Sequence, residues 1–230
     1  MIFKDRRIAG QLLAQELAAY ANRPDVSVLA LPRGGVPVAF EIAQALNVPL
    51  DVLVVRKLGV PHQEELAMGA IASGGIRILN EQVISQLKIT DEQIAKATSH
   101  EERELKRREK LYRGERPFPN LKGSTIILVD DGLATGATMW AAITAVRKQQ
   151  PARIIIAVSV AAPQTCQELE TQVDELVCIA TPNPFYSVGL WYENFPQTTD
   201  DEVCSLLKQA TNNYIPDVAE TIAVKEDNFS

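Results

Sequence analysis

The chain has 230 residues, 46% hydrophobic and 23% charged, with a formal net charge of −6; that is an ordinary soluble composition with room for a sizeable core. The acidic balance offers no general attraction to nucleic acid or an anionic membrane, so an anionic ligand must be held by local groups or a metal. Cys166, Cys178 and Cys204 are odd in number and lack metal-ligand spacing, which argues against a disulfide framework and for a reducing cytoplasm.

An amphipathic helix opens the chain, with Asp5 as its N-cap and Ile8, Leu12, Leu13 and Leu17 along one face. Charges interrupt its apolar positions, so it reads as neither a signal peptide nor a membrane span. VSVLAL then forms a short strand ending at PRGG, a helix follows near 37–46, and a second strand, PLDVLVV, runs into RKLG. Both strands are apolar almost without interruption, the pattern of parallel strands covered on two faces. Strand and helix alternate again in STIILVDD, GATMWAAITAVRKQ, ARIIIAVSVA, PQTCQELETQV and DELVCIA. The expected fold class is α/β, a doubly wound parallel sheet.

Residues 59–120 interrupt that core. MGAIASGGIRIL predicts a hairpin turning at Gly74-Gly75. Thr90 then opens a long helix, with Gln93 completing a capping box and Ile89 facing Ile94 as a hydrophobic staple. Its charged stretch pairs Glu102 with Lys106 and Glu104 with Arg108 at i,i+4, as a solvated face does. His100 belongs to that face. Pro117 and Pro119 end the insertion. Beyond residue 181 the alternation stops, and a last helix follows with Thr199 and Glu202 as capping box and Val203, Leu206 and Leu207 as apolar positions. The final residues read as a frayed tail.

The chemistry concentrates in residues 129–139, VDDGLATGATM. Asp130 and Asp131 close an apolar strand, at the carboxyl edge where open α/β sheets bind their ligands. The stretch Ala134, Thr135, Gly136, Ala137 and Thr138 then leads into a helix whose N-terminal amides, partial positive charge and threonine hydroxyls suit a phosphate. No GK[ST] and no GxGxxG is present, so this is neither a Walker loop nor a dinucleotide fingerprint. Carboxylates accept hydrogen bonds from vicinal hydroxyls. Acids followed at once by a phosphate cradle therefore measure out a ribose 5-phosphate.

VDDGLATGATM closely resembles the phosphoribosylpyrophosphate (PRPP) signature of type I phosphoribosyltransferases, over roughly 123–149. The resemblance implies that Asp130 and Asp131 contact the ribose hydroxyls and that residues 134–138 hold the 5-phosphate. It departs at Ala134, where purine-salvage members often carry an aspartate serving the purine N7 as acid or base. Leu31-Pro32-Arg33-Gly34-Gly35 resembles the family's pyrophosphate loop, with Arg33 as an anion fork, Gly34 and Gly35 presenting amides, and a cis peptide implied at Pro32–Arg33. Arg56 and Lys57 resemble the Arg-Lys pair that precedes a mobile closing loop in orotate and adenine members, which implies contact with pyrophosphate or 5-phosphate. His62 lies in that loop.

Residues 182–195, PNPFYSVGLWYENF, are rich in aromatic side chains and resemble the purine-salvage hood. That resemblance implies Tyr186 or Phe185 stacking the base, and Glu193 helping to hold Mg²⁺ through water. The implied organisation is one phosphoribosyltransferase domain over 1–230, with the insertion at 59–120, a hood or flap at 182–212 and a tail at 213–230. The implied activity is Mg²⁺-dependent transfer of ribose 5-phosphate from PRPP to a nucleobase-like acceptor in nucleotide salvage, releasing pyrophosphate. A cytoplasmic homodimer with no membrane or nucleic-acid partner is expected. A non-catalytic PRPP or nucleotide sensor on the same fold is the alternative, and a hydrolase using the acid pair is a further one.

Overall fold

A computed structural model describes residues 1–61 and 63–215, with all side chains among them except those of Glu64 and Glu65. His62 and most of the stretch expected to be a tail lie outside the described residues. The first strand, β1 (Val26–Ala30), and β6 (Thr125–Asp130) sit side by side in the middle of a five-stranded sheet. On one side of this pair lies β2 (Leu50–Val52). On the other lie β7 (Arg153–Val160) and β8 (Glu175–Ala180), giving the order β2-β1-β6-β7-β8. Every pairing is parallel. The chain thus winds outward from β1 to one edge and from β6 to the other.

Strand alternation sends the two sets of apolar side chains to opposite faces. Val26, Val28, Ala30, Ile127 and Val129 pack with Leu13 and Leu17, within and just after α1 (Arg6–Glu16), and with Val38 and Ile42 of α2 (Gly35–Leu46). Leu29, Leu31, Ile126 and Leu128 pack on the other face against Met139 and Ile143 of α5 (Ala137–Lys148) and Leu169 of α6 (Pro163–Glu170). Burying strands on both faces is what their uninterrupted apolar composition requires. The expected doubly wound α/β sheet is therefore the architecture of the chain.

The second strand ends sooner than expected. After β2 the buried Leu53 and Val54 lead out of the parallel sheet. Val54 exchanges hydrogen bonds with Ser73, its N–H reaching Ser73 Oγ and its carbonyl accepting from Ser73 N. The chain then continues as β3 (Val55–Val60), which pairs antiparallel with β4 (Gln63–Ala72). Gly74 and Gly75, both at positive φ, turn β4 into β5 (Ile76–Leu79), as the sequence predicts. Arg56 and Lys57 consequently lie within a strand of a second, three-stranded sheet and not at the end of the second core strand. Much of the segment expected to form a loop after Lys57 is also strand.

A short helix that the sequence reading does not separate, α3 (Glu81–Leu87), is capped by Asn80. Helix α4 (Asp91–Arg113) begins on the expected Thr90/Gln93 capping box. Ile94 is buried in the same cluster against which Ile89 packs, and Glu104 pairs with Arg107 and Arg108. The last helix, α7 (Asp200–Asn213), is capped by Thr199 and sends Val203 and Leu207 into the core. It packs against α2 and α4, and Asp200 on its first turn lies 3.9 Å from Arg33 at the carboxyl edge of the sheet. Among the described residues no helix is long and apolar enough to cross a membrane.

Candidate functional site

The carboxyl ends of β1 and β6 are neighbours, at the point where the winding of the sheet reverses. Adjacent loops there run to opposite sides and leave a crevice. The loop after β1 carries Arg33, Gly34 and Gly35, and β6 ends in Asp130 and Asp131. A cleft of about 490 Å³ opens between them, walled by both acids, Arg6, Arg33, Gly34 and residues 195–198. The Pro32–Arg33 peptide is cis, as the resemblance implied, and Asn183–Pro184 is cis as well.

Gly34 shows how closely the two loops meet. A Cβ at that position would stand 2.1 Å from Asp131 Oδ2, and one at Gly35 would stand 2.6 Å from the Val129 carbonyl. No side chain fits between the loop and the acid, so glycine is required here for space.

The acids are held individually. Asp130 Oδ1 accepts from the Asp131 amide at 2.9 Å. Asp131 Oδ2 accepts from Arg6 Nε at 2.8 Å, while its backbone carbonyl accepts from Ser159 Oγ at 2.5 Å and from the Tyr192 hydroxyl at 2.6 Å. Burial pushes the Asp130 carboxyl well above the usual carboxylate range, and the neighbouring Asp131 adds to the effect. Burial also raises Asp131, with the Arg6 guanidinium working against it. Half-buried acids with titration shifted in this way are common at ligand sites.

The phosphate-type turn follows directly. Gly136 takes a left-handed φ of 66° and caps α5, which starts at Ala137. Ala134, Thr135 and Thr138 are exposed, leaving the turn open to solvent. From beneath, Thr165 Oγ1 donates to the Ala134 carbonyl at 2.6 Å, and its methyl group would lie 2.7 Å from a Cβ at Gly136.

The remaining candidates are more dispersed. Arg33 lines the cleft and lies 3.9 Å from Asp200, which also accepts from the Tyr112 hydroxyl at 2.5 Å. Arg56 is bound to Glu101 of α4 at 2.6 Å. Lys57, on the opposite face of β3 by strand alternation, is exposed and has no ion pair among the described residues. Tyr186 is 77% exposed, whereas Phe185 packs beside Phe3 and Tyr192. Neither lines the cleft. The aromatic residue that does is Phe195, whose ring is covered by the Arg6 guanidinium at 3.8 Å. Glu193 is exposed next to Tyr192 and ties its amide to the Phe3 carbonyl.

Sequence reasoning missed Arg6, Ser159, Thr165 and Tyr192. Only Arg6 leaves a trace: a cation in the first turn of a helix opposes the helix dipole, which calls for a partner elsewhere in the fold. Its partner lies 125 positions away.

The family profile described as the phosphoribosyl transferase domain matches residues 3–192. A Mycobacterium tuberculosis protein named provisionally as a phosphoribosyl transferase is 44% identical over 213 residues, which make up 93% of this chain and 48% of the relative. The chain therefore spans about half the length of that relative. The crystal structure of TT1426 from Thermus thermophilus superposes with a TM-score of 0.80 at 39% identity, covering 91% of this chain and 99% of that one. AQ2163 from Aquifex aeolicus, at 14% identity and a TM-score of 0.50 over 80% of this chain and 78% of its own, shares the fold.

Proposed function

Because the chain belongs to the phosphoribosyl transferase domain family, we propose that it moves ribose 5-phosphate from PRPP to a nitrogenous base, giving a nucleoside monophosphate and pyrophosphate. The observation that carries this reading is the contact of Gly34 with Asp131, which brings an anion loop, an acid pair and a phosphate-type turn to one switch point. Asp130 and Asp131 take the ribose hydroxyls, and residues 134–138 take the 5-phosphate. The Gly34 and Gly35 amides with Arg33 take the pyrophosphate. Lys57, exposed and without an ion pair among the described residues, supplies further positive charge toward the phosphates, whereas Arg56 on the other face of β3 is engaged with Glu101. The acceptor ring meets the aromatic stretch 182–195, in which Tyr186 is exposed outside the cleft and Phe195 lines it.

In the reaction a base nitrogen forms a bond to the anomeric carbon as the bond from that carbon to the pyrophosphate oxygen breaks, the electron pair leaving with pyrophosphate and the proton of the base passing to water or to the departing pyrophosphate. Positive charge develops on the sugar, as in other glycosyl transfers. Arg33 stabilises the departing oxygens, and the fixed carboxylates hold the sugar in place without reorganisation. Among the described residues no group of three or more His, Cys, Asp or Glu side chains is arranged to hold a metal. The donor set suits a magnesium ion that arrives with the phosphates, since Mg²⁺ is commonly bound by phosphate oxygens and water with few protein ligands. Glu193, exposed and free of ion pairs among the described residues, would hold it through water. When bound, the ion neutralises charge on the leaving pyrophosphate.

Ala134 removes the acid or base that the resemblance to hypoxanthine/guanine members would supply and so argues against that acceptor chemistry; a PRPP-sensing regulator without turnover is the second reading, because a shared fold and ligand site do not fix the activity. A panel of bases with PRPP and Mg²⁺, scored by pyrophosphate release, separates the two, with Asp131→Asn as control. Turnover of one base, lost in the control, is the expected result. PRPP uptake with no base turned over hands the lead to the regulator, and no uptake at all removes both readings.

A further inference from the structure

Arg6 is the most tightly held cation in the cleft. Its Nε donates to Asp131 Oδ2 at 2.8 Å, an Nη1 hydrogen donates to the Pro196 carbonyl at 2.8 Å, and its guanidinium carbon lies 3.8 Å from the Phe195 ring centre. Only 9% of the residue is exposed, and it lines the cleft. Other contacts hold α1 in place as well. That helix is already anchored by the buried Ala9 and Leu13 and by the Arg7–Glu41 pair, while Phe3 bridges to Tyr192.

Asp131 explains the arrangement. Its Oδ2 is wedged between Arg6 and the Gly34 backbone, and its main-chain carbonyl is fixed by Ser159 and Tyr192. Arg6 engages Oδ2 and leaves Oδ1 to other partners. A carboxylate pinned at one oxygen has fewer orientations in which its other oxygen can accept a hydroxyl. A planar guanidinium is suited to this task, because it binds a carboxylate, a carbonyl and an aromatic face at once. A lysine ammonium has neither the fork nor the flat face.

We infer that Arg6 is a positioning residue of the PRPP site: it fixes Asp131 so that Oδ1 meets the ribose hydroxyls, and it joins that acid to the wall formed by residues 195–198. The inference rests on the PRPP reading above. It adds a residue from the first helix to a site otherwise built at the carboxyl edge of the sheet.

The test uses full-length Arg6→Ala and Arg6→Lys chains, with PRPP affinity measured by calorimetry, turnover by pyrophosphate release and folding by circular dichroism. Arg6→Ala should bind PRPP about tenfold or more weakly. Added guanidinium ion should restore binding in this variant saturably, and should not do so in the wild type. Arg6→Lys keeps the charge and most of the volume, so it serves if Arg6→Ala does not fold; it should melt near the wild type and still lose about tenfold in affinity. Either folded variant binding PRPP as the wild type does overturns the inference. A loss in Arg6→Ala that guanidinium leaves untouched also overturns it, by reducing Arg6 to a general support. Wild-type chain that takes up no PRPP overturns the PRPP reading itself, and with it this inference.

Discussion

At the scale of single residues, Asp130 sets function against stability. In the unfolded chain its carboxyl titrates near the usual value of about 3.9, but burial and Asp131 raise it in the fold. Between those two values the folded protein keeps a proton that the unfolded chain releases, so stability falls as pH rises through the window. Above the window the penalty is fully present. Asp130→Asn keeps an acceptor for the Asp131 amide and removes the penalty. At neutral pH the variant is expected to gain on the order of 1 kcal/mol, or about 2–4 °C in Tm, while losing turnover. Paired melting curves at acid and neutral pH check this, because the gain should shrink as the wild-type acid becomes protonated. In the wild type, kcat/KM should fall on acidification at a higher pH than an exposed aspartate would give. Gly34→Ala makes the complementary case: its Cβ would stand 2.1 Å from Asp131 Oδ2. Calorimetry should show PRPP affinity lowered by at least tenfold, since loop and acid cannot both keep their places.

At the scale of elements, α6 takes part in the site without touching the cleft. Thr165 on its first turn supports the Ala134 carbonyl, and Leu169 lies under Gly136, so the phosphate-type turn rests on this helix. Thr165→Val keeps the shape and deletes one neutral hydrogen bond, worth about 1 kcal/mol. The expected result is a KM for PRPP raised by roughly five- to tenfold with kcat little changed, the signature of lost uniform binding. Equal loss in both constants would place the helix's contribution in the transition state instead. Little of this support is visible in the sequence. VDDGLATGATM and LPRGG are legible because each needs only neighbours along the chain: an apolar strand, an acid or arginine at its end, and a turn into a helix. Thr165 and Ser159 look like any polar residues near a strand end, and only the packing of α6 and β7 against β6 gives them partners. The departure of β3 from the parallel sheet is hidden for a related reason. Leu53, Val54 and Val55 continue the apolar run of β2 unbroken, and the bond pair between Val54 and Ser73 that redirects the chain joins residues 19 apart.

At the scale of the whole molecule, the doubly wound core is readable from strands buried on both faces, whereas the relation of the 59–120 insertion to that core is not. The insertion is local in sequence and has its own hairpin, capping box and long charged helix, all of which would suit a separate module. Its side chains indicate otherwise. Leu58, Met68, Ile71, Ile94 and Leu105 share one apolar cluster with β1, α1 and α2. At the far end of α4, Arg113 is nearly buried, bonded to Asp51 and to the Val52 carbonyl, and therefore fastens the insertion to the edge strand β2. A buried guanidinium held this way is costly to release, and removing one partner of such a pair typically costs about 3–5 kcal/mol. The insertion and the core should therefore unfold together. Far-UV circular dichroism is weighted toward helices such as the 23-residue α4, while tryptophan fluorescence reports Trp140 on α5 and Trp191 in the flap, both outside the insertion. In urea the two signals should trace one coincident transition, and Arg113→Met should move both midpoints down together without separating them. An earlier step in the dichroism, with fluorescence unchanged, would mean that α4 melts away from a core that stands without it, and the expectation of a single domain would then have to be given up.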